Sequence, residues 1–471
     1  MDEVNILEKE IAARCHFELT AGQKNAVSGI AGFLESPDLR RLYVLCGYAG
    51  TGKTSLVSAL VRTMRALRRR VVLLAPTGRA AKVFSLYSDN PAYTIHRRIY
   101  RQRSLDQDVF SLDRNMYEDT LFIVDEASMI SNELLDDLVS YVYSGKGCSM
   151  LLSGDTAQLP PVGESVSPAL NPELLRSYGL TVTGCVIREV VRQSSGSGVL
   201  YNATLLRNAL SQIRKGSVKS VFKPLTENFA DVRKIRGDEL VGLLSDCYSS
   251  EGIGDTIVLC RSNKHAIIYN KGVRSTILDR EDELCRGDRL MIVKNNYYWT
   301  DRMAEEAMSA HEPMDSIPQF IANGDMAEVL RVRHVRELYG FRFADVVLRF
   351  PDYDDCEMEV TVLLDTLHSE SPALTREQYD MLFKNVMEDY TYISDKRERL
   401  RKMREDPYYN AFQVKYAYAV TCHKAQGGQW ANVFIDQGYI PDDTRDGDYY
   451  RWLYTAFTRA TGTVYLVNWP E

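Results

Sequence analysis

At 471 residues the chain is too long for one ordinary domain and points to roughly two to four. Its formal net charge of −7 weighs mildly against nucleic-acid binding without excluding it, since phosphate contacts depend on the local field in a groove. No apolar run is long enough to cross a bilayer, MDEVNILEKE is no secretory signal, and the nine scattered cysteines lack a CxxC pair, so we expect a cytoplasmic protein with reduced thiols, no membrane partner, no disulfide framework and no zinc site.

LYVLC (42–46), VVLLA (71–75), LFIVD (121–125) and SMLLS (149–153) are short runs rich in Val, Ile and Leu, the pattern of parallel strands buried on both faces. Helices are predicted after Lys53, after Gly78 and where Ile130, Leu134 and Leu138 repeat at helical spacing. The alternation predicts an open α/β domain over 1–195. The polar stretch 97–120, with isolated Tyr100 and Phe110, interrupts it and reads as an inserted hairpin. Beyond 196, DTIVLC (255–260) begins a second α/β unit over 196–283 and 413–471, with NVFID and TVYLV as further strands. Between its halves, 284–412 carries Gly287, Gly324 and Gly340 among short β-type runs, which predicts a small β-barrel, and then a charged, helix-prone segment over 375–406. The basic clusters at Arg62–Arg70 and Lys396–Arg404 read as solvated helix faces.

GYAGTGKT (47–54) fits G-x-x-x-x-G-K-[ST] between a predicted strand and helix. Gly47, Gly50 and Gly52 let backbone N–H groups turn inward around phosphate oxygens, and the helix N-terminus adds partial positive charge. Lys53 is placed to reach the β- and γ-phosphates of ATP, and the Thr54 hydroxyl to ligate Mg²⁺. Asp125 emerges at the C-terminal end of LFIVD as the second Mg²⁺ ligand, followed by Glu126 as the group that orients or deprotonates the attacking water. In GDTAQLPPV (154–162), Gln158 follows the next strand, where its amide can sense a γ-phosphate and the Pro-Pro pair can pass a shift onward.

Further segments complete a resemblance. LTAGQ (19–23), APTGRAAK (75–82), TIHR (94–97), EVVRQ (189–193), LCRSNKHAIIYN (259–270), YAVTCHKAQGGQW (418–430) and WLYTAFTRA (452–460) follow the phosphate motifs in an order that resembles the superfamily 1 helicases, RecD-like and Dda-like branch. GDRLMIVKNNY (287–297) and ANGDMAEVL (322–330) resemble that branch's SH3-like insertion, whereas 350–412 matches its pattern poorly. The resemblance implies two RecA-like parallel-sheet motor domains, ATP and Mg²⁺ as cofactors, and 5′→3′ movement on single-stranded DNA with unwinding at single/double-strand junctions. It implies Gln23 as adenine reader and Arg192 and Arg459 as γ-phosphate contacts. Pro76, Thr77, Arg79, Lys82 and His96 in the first domain, with Thr421, His423 and Lys424 in the second, are the implied DNA contacts, and backbone-phosphate contacts of this kind carry no sequence information. Gln426 and Gln429 are placed to link the ATP and strand sites. Tyr100, Phe110, Tyr297, Tyr298 and Trp299 are candidates for stacking on bases, and the 97–120 hairpin for a duplex-splitting pin. Repair, recombination or replication proteins are the partner class. The rival readings are a single-strand translocase without unwinding, on DNA or RNA, and an ATP-gated binding subunit of a repair complex.

Overall fold

The structure is a computed structural model that describes residues 3–102, 110–190, 196–214, 222–311, 317–318, 320–441 and 445–470. The first lobe contains β1 (Arg41–Gly47), β2 (Arg70–Ala75), β3 (Ala92–Thr94), the short β4 (Tyr100–Gln102) and β5 (Phe110–Leu112), then β6 (Thr120–Val124), β7 (Ser149–Gly154) and β8 (Thr181–Ile187). Six of these form a parallel sheet in the order β3-β2-β6-β7-β1-β8. Alternation along the strands divides them between two cores. Leu42, Val44, Phe122, Val124, Met150 and Leu152 pack with Leu135 and Leu138 of the helix Asn132–Ser144. Tyr43, Leu45, Leu121, Ile123 and Leu151 pack with Val27 and Ile30 of the helix Ala21–Leu34 and with Leu56 and Leu60 of the helix Lys53–Ala66. Each such side chain contributes about 1.5–3 kcal/mol by leaving water, which is why both faces had to be apolar. The hairpin predicted within 97–120 is present as antiparallel β4 and β5, with Tyr100 opposite Leu112; its expected tip, 103–109, lies outside the described residues.

The second lobe opens with β9 (Val232–Ile235) and β10 (Thr256–Cys260). The chain then leaves it to form a closed barrel of β11 (Arg289–Ile292), β12 (Met326–Leu338), β13 (Phe341–Phe350), β14 (Cys356–Leu363) and β15 (Phe412–Tyr416). Leu290, Val329, Val346, Leu348, Val362 and Val414 fill its interior. β12 and β13 are joined through Tyr339 and Gly340, both at positive φ (57° and 79°), as a tight hairpin turn requires. The charged segment resolves into helices Arg376–Asp389 and Lys396–Arg404, whose Leu382, Val386 and Met403 pack on Phe341 and Phe343 in a small core of their own. The chain returns with β16 (Ala419–Thr421), β17 (Trp430–Asp436) and β18 (Ala460–Val467), giving the parallel order β16-β10-β17-β18-β9.

The expected return at residue 413 is corrected by this topology. β15 pairs with β11 and β14, so it closes the barrel, and only Ala417 and Tyr418 separate it from β16. The barrel's entry and exit are clamped on one fully buried carboxylate, Asp288. It accepts from Arg274 (3.0 and 3.1 Å), Arg280 (2.7 Å), the Cys285 amide (2.7 Å) and the Tyr418 hydroxyl (2.8 Å). The helix Tyr298–Ala310, inside the region read as β-barrel, was not anticipated.

Candidate functional site

The phosphate motif forms the turn between β1 and the helix Lys53–Ala66. Gly50 and Gly52 sit at φ 76° and 77°, the left-handed region where a side chain would be strained, and no side chain caps the helix start. The first-turn N–H groups are therefore left to an external acceptor, the arrangement that binds anions. Lys53 Nζ donates to the Gly47 carbonyl and, at 3.2 Å, to that of Tyr48, so its ammonium lies over the loop. Asp125 is held at the end of β6 by the Ser153 hydroxyl at 2.8 Å. Burial first, and the adjacent Glu126 second, push its carboxyl up to about 6. Glu126 occupies the left-handed region at φ 51°, an uncommon and strained conformation for a residue with a side chain. Gln158 is 7% exposed and its Oε1 has no hydrogen-bond partner among the described residues. Desolvated carboxylates facing a lysine, an unsatisfied amide oxygen and uncapped helix N–H groups fit a triphosphate with its cation and an attacking water.

Gln23 stands apart from the expected role. Its Oε1 accepts from the Thr20 amide (3.0 Å) in a capping box, and its Nε2 donates to the Thr51 carbonyl (3.0 Å). One end of the amide thus caps the helix Ala21–Leu34 and the other fixes the phosphate loop, with the side chain fully buried rather than displayed for a base.

The second lobe meets this site through the helix Gly447–Phe457. The Tyr454 hydroxyl accepts from the Ala49 amide of the phosphate loop (2.8 Å) and donates to Asp155 Oδ2 (2.6 Å). Thr455 Oγ1 accepts from the Leu159 amide (2.9 Å), Gln426 Nε2 donates to the Leu159 carbonyl (2.8 Å), and Arg451 donates to the Ser165 carbonyl (2.7 Å). Gln426 thereby joins the Gln158 loop to the segment 418–430 of the second lobe. Arg459 is 3% exposed and its guanidinium bonds within its own lobe, to the carbonyls of Thr455 (3.2 Å) and Gly428 (3.1 Å) and the Thr458 hydroxyl (3.3 Å). The structure does not bring Arg459 onto the phosphate loop; Tyr454, on the preceding turns, makes that crossing. Arg192 lies outside the described residues.

Of the first-lobe strand candidates, Pro76 and Thr77 lie in the turn after β2, with Thr77 Oγ1 capping the next helix at the Ala80 amide (3.2 Å). Arg79 does not face an open groove. It donates to the Gln429 carbonyl (2.8 Å) and lies over the Trp430 ring (4.2 Å to the centroid), and Lys82 donates to the Pro351 carbonyl. Both cations hold the second lobe and its barrel against the first. His96 is largely desolvated, which lowers its basicity, and lies 5.6 Å from the Tyr100 ring. Thr421, His423 and Lys424 remain together on the second lobe, around a cavity of about 470 Å³. The stacking candidates are corrected in part. Trp299 is 6% exposed with its indole N–H on the Asn410 carbonyl (2.9 Å), Tyr297 stacks on Phe320 (4.8 Å), and Tyr298 meets Trp299 edge-on (5.1 Å). The Tyr100 hydroxyl is taken by Asp137 (2.5 Å).

Sequence reasoning missed Asp155, Tyr454, Lys415 and Asp325. Tyr454 and Asp155 stood inside quoted motifs, but only the fold pairs them. Asp325 lies in the GD of ANGDMAEVL, buried, bonded by the Ala322 amide (2.7 Å) and the Tyr353 hydroxyl (2.5 Å), with its carboxyl pushed up to about 7 chiefly by burial. A Cβ at Gly78 would meet both Tyr353 and Asp325, so the barrel sits directly on the first-lobe strand motif.

A phosphate loop between a buried strand and a helix, an acidic pair on a neighbouring strand end and a second parallel-sheet lobe against them define a two-lobed P-loop nucleotide-binding fold. An AAA domain model matches residues 18–231, and a UvrD-like helicase C-terminal domain model matches residues 416–467. The two matched models fall on the two lobes, and the chain is similar in this to the superfamily 1 helicases. The ATP-dependent RecD2 DNA helicase of Deinococcus radiodurans is 36% identical over 128 residues, 26% of this chain and 16% of that protein. The ATP-dependent DNA helicase Pif1 of a Psychrobacter species is 25% identical over 461 residues, 84% of this chain and 63% of that protein. The chain thus spans less than two thirds of the length of either relative. A Bacteroides Pif1 helicase solved with ADP-AlF3 and single-stranded DNA aligns over 96% of this chain and 93% of its own, at 15% identity and a TM-score of 0.46. Among the described residues no helix is long and apolar enough to cross a membrane.

Proposed function

We propose that the chain is an ATP-dependent DNA helicase that moves 5′→3′ on single-stranded DNA and acts at single/double-strand junctions. The observation that carries this reading is the bridge from Tyr454, Thr455 and Gln426 to the phosphate loop and the Gln158 loop. In this reading the bridge couples the nucleotide site of one lobe to a strand grip on the other. The names of the RecD2 and Pif1 relatives agree with it.

In this reading Lys53 and the loop amides hold the β- and γ-phosphates, Thr54 and Asp125 hold Mg²⁺, which supplies charge neutralisation, and Glu126 and Gln158 orient the attacking water. Gln23 acts through Thr51. Arg192 and Arg459 are proposed as γ-phosphate contacts, Arg459 after a rotation that frees it from Gly428. Thr421, His423 and Lys424 grip DNA phosphates, and Thr77 with Pro76 shapes the opposing grip. The β4–β5 hairpin is proposed as the pin. The site residues suit a cycle in which one lobe's grip advances as the cleft closes and the other's as it opens.

The deciding experiment compares unwinding of 5′-tailed and 3′-tailed duplexes with and without ATP. We expect ATP-dependent unwinding of the 5′-tailed substrate only. Robust ATPase with no unwinding of either substrate would favour a translocase, and stronger stimulation by RNA than by DNA oligonucleotides would reassign the track.

A further inference from the structure

The cavity of about 470 Å³ on the second lobe is lined by more than the strand-binding segment. Lys415 projects from barrel strand β15 and is 8% exposed. Its Nζ donates to the carbonyls of Ser369 and, at 3.4 Å, Thr366. Among the described residues no carboxylate pairs with it, and the charge it feels most is that of Lys424. Lys424, also desolvated, has only the neutral amide oxygen of Asn323 as its side-chain partner. Two ammonium groups beside one cavity, both drawn out of water without a counter-ion, form an arrangement that an anion would relieve. The lining also includes apolar side chains, Ile267, Met291, Val293 and Leu367, with Val162 contributed by the first lobe. The volume lies in the range of small-ligand pockets.

We propose that this cavity is a seat for a single nucleotide of the bound strand, with its phosphate on Lys415 and Lys424 and its base against Ile267, Met291, Val293 and Leu367. The proposal rests on the strand-groove reading above and extends it, by adding a barrel residue and a base-accepting wall to a grip otherwise made of phosphate contacts. Val162 ends the loop that carries Gln158, so the seat's wall belongs to the loop nearest the nucleotide. Movement of that loop changes the seat, which gives the motor a place to hold one nucleotide between advances.

The test measures fluorescence anisotropy of a labelled oligothymidylate over a salt series with the wild type, K415M, K415R and K424M. It adds wild-type binding to oligonucleotides that carry a single abasic site at successive positions. We expect K415M to weaken binding about tenfold and to lower the slope of log affinity against log salt by about 0.7, the loss of one phosphate contact on single strands. K415R should restore the slope. One abasic position should bind about 5-fold or more weaker than its neighbours, as the return of one base's apolar contact to water does. If K424M loses affinity while K415M keeps the wild-type slope, the seat is refuted and the groove stands. If neither variant changes binding, the groove reading fails and takes the seat with it. Should K415M not fold, the abasic scan on the wild type decides, and uniform tolerance along the oligonucleotide overturns the proposal.

Discussion

Tyr454 of the second lobe and Asp155 of the first share a 2.6 Å hydrogen bond, and the same hydroxyl accepts from the Ala49 amide. One phenol of the second lobe thus touches both the phosphate loop and the buried acid behind it. Burial raises the Asp155 carboxyl, whereas Lys53 and the Tyr454 bond lower it. Replacing Tyr454 with Phe removes both bonds and leaves the acid short of a partner, a loss of about 1.5–3 kcal/mol for a bond to a charged group. We expect Y454F to lower DNA-stimulated ATPase kcat roughly 10- to 100-fold, with oligonucleotide affinity held within about threefold. Steady-state kinetics beside anisotropy checks this; an unchanged kcat means that the contact does not serve turnover.

Among the described residues Lys53 Nζ donates to the loop carbonyls of Gly47 and Tyr48, so its removal leaves the fold's core untouched. K53A should abolish ATP hydrolysis while single-strand binding persists, measured by phosphate release and anisotropy on one preparation. Turnover by this variant would place the phosphate site elsewhere.

Glu126 is kept in a strained backbone conformation next to Asp125. In E126Q the amide preserves shape and removes the base. We expect nucleotide binding to remain, followed with a fluorescent ATP analogue, and hydrolysis to slow at least about 10²-fold, the usual size of a general-base effect. A near-normal rate would transfer the role to another group.

Asp325 gives a pH signature. Its carboxyl in the folded protein is raised from 3.8 to about 7, so the native state binds this proton more tightly than the unfolded chain. The corresponding stabilisation is complete below about pH 4 and is lost as pH rises through about 7. The melting temperature of the wild type should therefore fall more steeply across this window than that of D325N, by several degrees in total. Parallel curves for the two proteins would show that Asp325 is already ionised throughout.

The elements legible in the sequence are those with two buried faces. β1, β2, β6 and β7 are continuous apolar runs because helices cover both sides. β8 has the same length as β1, yet it lies at the sheet edge with most residues at least partly exposed, and TVTGCVI carries no such run. The helix Tyr298–Ala310 begins on aromatics that favour strands, and tertiary packing of Trp299 overrides them. The error at residue 413 has a related cause: β15 and β16 form nearly one apolar stretch, and pattern cannot tell which strand joins which sheet. In the site, Lys53, Asp125 and Glu126 follow from local chemistry. The Tyr454–Asp155 pair is 299 residues apart, and Arg79 turns from the strand groove to Trp430 for reasons visible only once the lobes are apposed.

The Asp288 clamp decides how the barrel behaves under load. Arg274 precedes the insertion, Tyr418 follows it, and both close on the same carboxylate. A module keyed to its axle in this way cannot swivel by itself. Torque applied to the barrel reaches β16 across a two-residue joint, so in the proposed motor whatever grips the barrel from outside would act as a brake.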